Sequence, residues 1–245
     1  MSRKIAPICE LCGNPMKKVI YGLTRADDVQ FDKYIYAGCV IEDPMKDWDC
    51  MCYMESEPDI DFKIIVGDIT QLDVDVIVNA ANPQLQSGGG VCGAIFKVAG
   101  PGLSEEISEK YPRGIEVGQA AITGGFSSKA KWIVHAVAPR ADLDGTGDHV
   151  KLSNAYRNAL LLADSVGAKS IAFPSLGTGI YGWDVEKSVE YVLEEGIFAT
   201  FTELSKLRTI LLCCFTGSDA RTYTRSTNSL EGLFQKIMSS ETGLI

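Results

Sequence analysis

From Phe62 onward, short apolar runs alternate with stretches in which apolar residues recur every three to four positions. The runs Phe62–Val66, Val74–Asn79, Gln119–Thr123, Lys131–Val137, Ser170–Pro174 and Arg208–Phe215 are bounded by polar or glycine-rich breaks and predict strands. The periodic stretches Val91–Ala99, Leu103–Tyr111, His149–Val166, Val185–Thr200 and Ser229–Met238 predict helices. In the third of these, Leu152, Ala155, Tyr156, Ala159, Leu160 and Ala163 fall on one helix face, and Gly167-Ala168-Lys169 supplies the stop. Asp184 is placed to cap the helix that starts at Val185. Strands alternating with helices predict a three-layer α/β/α fold with a mixed, mostly parallel central sheet. In such folds ligands bind beyond the carboxyl ends of the strands.

The stretch Val76–Gly100 shows where that site should lie. A buried strand turns polar at Asn79 and Asn82, breaks at Pro83, passes through Gly88-Gly89-Gly90 and enters a helix. Glycines allow close backbone approach, and a helix start offers unpaired N–H groups, so this is a phosphate cradle. Three other breaks follow strand ends: Gly67-Asp68-Ile69-Thr70, Ser175 to Gly182 (SLGTGIYG), and Phe215-Thr216-Gly217-Ser218. All should emerge on one edge of a parallel sheet, where two glycine loops could clamp a diphosphate. The SLGTGIYG loop lacks the Gly-Lys-Ser/Thr of a Walker A motif.

The first 58 residues have a different texture. They hold five of the eight cysteines, with strand-like pieces at Lys18–Tyr21 and Tyr34–Tyr36. Cys9-Glu-Leu-Cys12-Gly13 has the form of a zinc knuckle, in which two thiolates take adjacent corners of a tetrahedron. The second pair, Cys50-Met51-Cys52, is one residue shorter than the usual knuckle. A segment this small has little core, and a structural zinc would supply the missing stability. The expected ligands are Cys9, Cys12, Cys50 and Cys52, with Cys39 as the alternative to Cys52; free thiols are the competing explanation. The segment resembles small bacterial zinc-ribbon-type modules, and Trp48 before the last cysteines fits that pattern. Glu55 to Asp61, acidic and carrying Pro58, reads as a linker. The expected organisation is a cysteine-rich module over residues 1–58 and an α/β domain over residues 60–245.

Composition narrows the class. Of 245 residues, 46% are hydrophobic and 22% charged, which suits a soluble globular protein. No apolar run approaches the roughly 18–20 residues of a membrane span. The N-terminus has no apolar leader, and eight cysteines without one imply reduced thiols or metal, hence a cytoplasmic protein. A net charge of −9 argues against nucleic acid and anionic membranes as partners. It leaves room for a small anion held by backbone N–H groups.

The ordered motifs GDIT, VIVNAAN, GGGVCGAI, IVHAVAP and PSLGTGIYG, spanning Phe62 to the C-terminal helix, resemble the macro domain, the ADP-ribose-binding module. The resemblance implies ADP-ribose, or an ADP-ribosylated protein, as partner. Asp68 would accept from the adenine amino group, with Ile69 beside it. Asn82 would meet the distal ribose, while Asn79 holds the loop. Gly88 to Gly93, including Gly89, Gly90, Val91 and Cys92, would bracket the diphosphate with Ser175, Gly177, Thr178, Gly179, Ile180 and Tyr181. Tyr181 would also pack near the distal ribose, and Phe215 would stack on adenine unless it is a core residue.

The resemblance leaves catalysis open. Many hydrolytic macro domains carry GGGVDGAIH, whereas here the aspartate and histidine positions are Cys92 and Phe96. These lie one helical turn apart and should share a face beside the site. A thiol with a pKa of about 8.5 is a poor base at neutral pH, although a helix start could lower it. Catalysis, if present, would rest on Asn82 and Cys92. It would remove ADP-ribose from side chains or acetyl from O-acetyl-ADP-ribose, and no catalytic cofactor is expected. His135 is expected to be a satisfied core residue, His149 a surface residue at a helix start, and Cys213 and Cys214 core residues of a strand.

Overall fold

The computed structural model describes residues 60–142 and 145–227, with the backbone of three short strands nearer the N-terminus. The chain divides into two units, Met1–Glu57 with Ile237–Ile245, and Pro58–Lys236. In the first, β1 (Lys17–Ile20) pairs parallel with β2 (Tyr34–Tyr36) and antiparallel with β3 (Trp48–Asp49). The two strand-like pieces of the sequence fall at β1 and β2. Cys9, Cys12, Cys39, Cys50 and Cys52 lie outside the described residues.

The second unit is built on a six-stranded sheet: β4 (Asp61–Val66), β5 (Val76–Ala80), β6 (Ala120–Gly124), β7 (Trp132–Ala136), β8 (Ser170–Phe173) and β9 (Thr209–Cys214). The order is β4-β9-β8-β5-β7-β6, and only the β6–β7 pair is antiparallel. Each predicted strand is present, with ends shifted by a residue or two. β5 shows why the middle of the sheet reads as a continuous apolar run: both its faces are covered. Val76 and Val78 enter the core under α3 (His149–Ser165), with Tyr156, Leu160 and Ile171. Ile77 enters the opposite core, with Ile95 of α1 (Gly90–Ala99) and Leu103 and Ile107 of α2 (Pro101–Lys110). The result is the three-layer arrangement. No helix among the described residues is long and apolar enough to cross a membrane.

Two helical expectations need correction. The stretch Val185–Thr200 is α-helical only over α4 (Val185–Glu190); it continues as a π-helical segment, Tyr191–Ile197, and a 3₁₀ segment, Phe198–Glu203. Ser153 of α3 explains the change: its Oγ lies 3.1 Å from the Tyr191 carbonyl oxygen and competes for an acceptor the helix ladder would use. Gly196 allows the close approach, since a Cβ there would sit 3.1 Å from the Tyr156 Cβ. Asp184 does cap α4, accepting from the amides of Glu186 and Lys187. The second correction is a helix, α5, over residues 217–227, where a loop leading to Ser229–Met238 was expected. The segment Ser229–Met238 itself lies outside the described residues.

Because β4, β9, β8, β5 and β7 are parallel, their carboxyl ends share one edge of the sheet. The segments after them, 67–70, 215–218, 175–182, 81–90 and 137–140, therefore gather there.

Candidate functional site

Between the segments after β5, β7 and β8 lies a cleft of about 210 Å³. One wall is Gly88 to Cys92, where α1 begins; the other is Ser175 to Tyr181, with Ala80, Ala81, Ala136 and Ala138 as the floor. Four alanines at the ends of β5 and β7 keep that floor low. They stand in the VNAAN and HAVAP motifs, and small residues at the ends of central strands were the available signal for them.

The glycines are fixed by geometry. A Cβ on Gly93 would lie 2.5 Å from the Gly88 carbonyl oxygen, so glycine is what lets α1 seat against its own loop. Gly177 has φ +81, and a Cβ there would meet the Trp183 ring at 2.6 Å. Trp183 is itself anchored, its Nε1–H donating to the Pro139 carbonyl at 2.9 Å. The walls approach closely, since a Gly89 Cβ would sit 3.7 Å from Ile180 Cδ1.

Both walls offer amides. The cap residue of α1 is Gly89, with no side-chain cap, so the N–H groups of Gly90, Val91 and Cys92 in the first turn have no intrahelical acceptor. Across the cleft, the N–H groups of Gly177 to Tyr181 donate no hydrogen bond among the described residues. No charged side chain lines the cleft. The chemistry on offer is an uncharged anion site made of backbone donors.

Of the residues singled out from the sequence, Asn82, Gly89, Gly90, Val91, Cys92, Ser175, Gly177, Gly179, Ile180 and Tyr181 line the cleft. Asn82 Nδ2 donates to the Gln86 carbonyl at 2.7 Å, and its Oδ1 accepts from the Gln86 amide at 3.1 Å. Asn82 therefore holds the loop, the part expected of Asn79, and keeps one N–H and one lone pair for a ligand. Asn79 is fully buried on β5 and does not line the cleft. Its Nδ2 faces His135 Nδ1 at 3.1 Å, because the two residues are register partners on β5 and β7. The Thr178 hydroxyl donates back to the Ser175 carbonyl at 3.0 Å, so its amide is the group it can offer the cleft.

Asp68, Ile69 and Phe215 stand apart from this cleft, at the ends of the adjacent strands β4 and β9. The Gly67 amide bonds the Cys214 carbonyl at 3.1 Å and ties the two ends together. Asp68 Oδ1 accepts from the Thr70 hydroxyl and amide at 2.7 and 2.9 Å. The Thr70 hydroxyl first, and its amide second, hold the carboxyl below the usual carboxylate range. Asp68 thus caps the turn with one oxygen and leaves Oδ2 as an acceptor. Ile69 is buried beneath it. Phe215 is 88% exposed, which removes the core-residue alternative and presents a bare aromatic face. Val66, the residue paired with Cys214, is 57% exposed beside it.

Cys92 and Phe96 do not act together. Cys92 lines the cleft, with its Sγ 3.7 Å from the Gln86 carbonyl oxygen. Burial pushes its thiol up, outweighing the Gly88 backbone and the Asn79 side chain, which act in the other direction. Phe96 points elsewhere, toward His135 at 6.4 Å between ring centroids, and lines a separate hollow with Gln86 and Tyr111. His135 is buried between Asn79 and Thr123, whose Oγ1 is 3.0 Å from Nε2, and burial lowers its pKa to about 4. His149 is exposed at the start of α3, while Cys213 and Cys214 are buried on β9.

Sequence reasoning passed over Arg140, whose guanidinium lies 5.0 Å from the Tyr181 ring centroid at the cleft rim. It also passed over Tyr156, which accepts from the Leu176 amide at 2.8 Å and props the Ser175 loop from behind. Among the described residues, no group of three or more histidine, cysteine or acidic side chains is arranged to hold a metal ion.

Comparison with known proteins agrees with this geometry. The family model described as "Macro domain" matches residues 78–192. The chain is 37% identical over 171 residues to the macro domain-containing protein TTE0995 of Caldanaerobacter subterraneus subsp. tengcongensis, covering 69% of this chain and 97% of that one. It is 39% identical over 165 residues to a protein of Klebsiella pneumoniae named O-acetyl-ADP-ribose deacetylase, covering 66% of this chain and 94% of that one. Among solved structures, an Oceanobacillus iheyensis macrodomain mutant with ADPR superposes with a TM-score of 0.63 at 33% identity, covering 69% of this chain and 92% of that one.

Proposed function

The chain belongs to the macro domain family, and on that premise we propose that it binds ADP-ribose, free or attached to protein, along the carboxyl edge of its sheet. The observation that carries this reading is the pair of facing glycine loops with unused amides and no charged lining. The diphosphate lies between the loops, with the distal ribose against Asn82 and Tyr181. The adenine lies on the β4–β9 side, where Asp68 Oδ2 accepts from its amino group and Phe215 covers its face. An exposed acceptor and an exposed aromatic at neighbouring strand ends support that orientation.

The test of the orientation is calorimetric titration of the full chain with ADP-ribose before and after Asp68→Ala. A hydrogen bond to a charged acceptor contributes about 1.5–3 kcal/mol, so the variant should bind at least roughly tenfold more weakly. Equal affinities would remove Asp68 from the adenine site.

A second reading, hydrolysis, is favoured by the likeness to the Klebsiella protein named as a deacetylase. The cleft lining argues for a binder instead: it carries no carboxylate or imidazole, and its one thiol is held neutral. If hydrolysis occurs, Asn82 and the loops would position the water. Incubation with a mono-ADP-ribosylated protein and with O-acetyl-ADP-ribose separates the readings. Release that survives Cys92→Ala would establish a water-based hydrolase, and no release from either substrate would establish the binder.

For residues 1–58 we propose a zinc module, with Cys9, Cys12, Cys50 and Cys52 as ligands and Cys39 as the alternative to Cys52. The CxxC-Gly spacing supports it. Metal analysis of the reduced, freshly purified chain should find one zinc per chain; metal-free protein would count against the site. The cysteine content supports a reducing, cytoplasmic location.

A further inference from the structure

Two buried side-chain polar atoms among the described residues lack a hydrogen-bond partner: Asn79 Oδ1 and the Tyr223 hydroxyl. Both lie one residue behind the cleft, Asn79 beside Cys92 and Tyr223 beside Ser175.

Tyr223 sits on α5 and is fully buried. Its hydroxyl lies next to those of Ser175 and Tyr156, close enough for weak hydrogen-bonding interaction with each, but meets neither at full hydrogen-bond distance and angle. Tyr156 has its own partners, accepting from the Leu176 amide at 2.8 Å and donating to the Pro174 carbonyl at 3.4 Å. Ser175, at the head of the glycine loop, lines the cleft. Its Oγ–H makes a long contact to Cys214 Sγ, at 3.8 Å. Sulfur is a weak acceptor, so little holds the serine hydroxyl in that direction. Burial raises the Tyr223 pKa and keeps its proton in place as a donor.

A buried hydroxyl without a partner costs stability, and phenylalanine would fill the same space without that cost. Stability alone therefore does not account for tyrosine at this position. We propose that Tyr223 is a positioning residue for the diphosphate: a ligand oxygen in the cleft draws the Ser175 Oγ–H away from Cys214, and the Tyr223 O–H then donates to the Ser175 oxygen. The serine becomes a polarised donor only in the filled site, through a two-bond chain that strengthens cooperatively. The inference rests on the ADP-ribose reading above, because it needs a phosphate oxygen between the loops.

The experiment uses the full chain in four forms, wild type, Tyr223→Phe, Ser175→Ala and the double variant. ADP-ribose affinity is measured by calorimetry and folding by thermal melting. Tyr223→Phe should weaken ADP-ribose binding roughly fivefold, the scale of one hydrogen bond, while melting at the same or a higher temperature. The double variant should bind as Ser175→Ala does, since the tyrosine acts through the serine. Unchanged affinity in Tyr223→Phe would overturn the proposal. So would a loss of affinity accompanied by a lower melting temperature, or one that adds to that of Ser175→Ala. Wild-type protein that binds no ADP-ribose would strike at the ADP-ribose reading itself, and this inference would go with it.

Discussion

At the scale of single residues, the site depends on side chains that do two things at once. Asp68 caps a turn with Oδ1 and leaves Oδ2 as an acceptor; Asn82 closes its loop and keeps one donor and one acceptor for a ligand. Cys92 is different, because burial removes its chemistry and leaves its volume. Cys92→Ala should accordingly retain ADP-ribose binding within about threefold, since no charged or strongly hydrogen-bonding group is lost; a collapse of affinity in a variant that melts normally would show that the thiol contacts the ligand. His135 supplies a pH signature. Its pKa is about 4 in the folded chain and about 6.5 when unfolded, so between those values the unfolded state binds more protons. The stability present above pH ~6.5 should fall by about 3 kcal/mol as the pH drops to ~4. Melting curves across that window should show the loss, and His135→Asn should flatten it. What the sequence made visible here was residue type at strand ends, with Asp68 following β4 and an exposed Phe215 following β9. That Asn82 rather than Asn79 closes the loop was hidden, since only the pairing of β5 with β7 puts Asn79 against His135.

At the scale of elements, alternation of period made the six strands and α1 to α3 legible, because tertiary packing reinforces each local preference. Two features escaped for physical reasons. The π-helical segment after α4 arises from contact with Ser153, thirty-eight residues earlier in the chain, which no local pattern records. Helix α5 has a glycine and five serines or threonines and buries chiefly Tyr223, so its apolar period is faint. Its available sign was Thr216, whose Oγ1 caps the Asp219 amide at 3.1 Å. The loop elements make their own prediction. Gly177→Ala meets both a positive φ and the Trp183 ring, so it should destabilise the domain by about 1–3 kcal/mol and weaken ADP-ribose binding more than Gly179→Ala. Position 179 has open space around it and no positive φ. Comparable affinities for the two variants would argue against a fixed loop geometry at Gly177.

At the scale of the whole molecule, a chain of net charge −9 is proposed to bind a dianionic ligand without a charged side chain in the cleft. Backbone amides are fixed dipoles, and their hold on phosphate involves little displacement of free ions. Affinity should therefore change less than about threefold between roughly 50 and 500 mM salt, whereas a cleft of lysines and arginines would lose far more over that range. A steep loss would mean that cations outside the lining, Arg140 first among them, carry the binding. Ligand should also protect the fold: at a hundred times Kd, ADP-ribose should add about 2.7 kcal/mol to the stability of the domain. The most direct measurement is calorimetric titration of the intact chain with ADP-ribose, alongside a melting curve of the same sample. ADP-ribose recognition along the sheet edge predicts saturable one-to-one binding and a raised melting temperature. A cooperatively melting protein that gives neither heat nor a melting shift with excess ADP-ribose would contradict it.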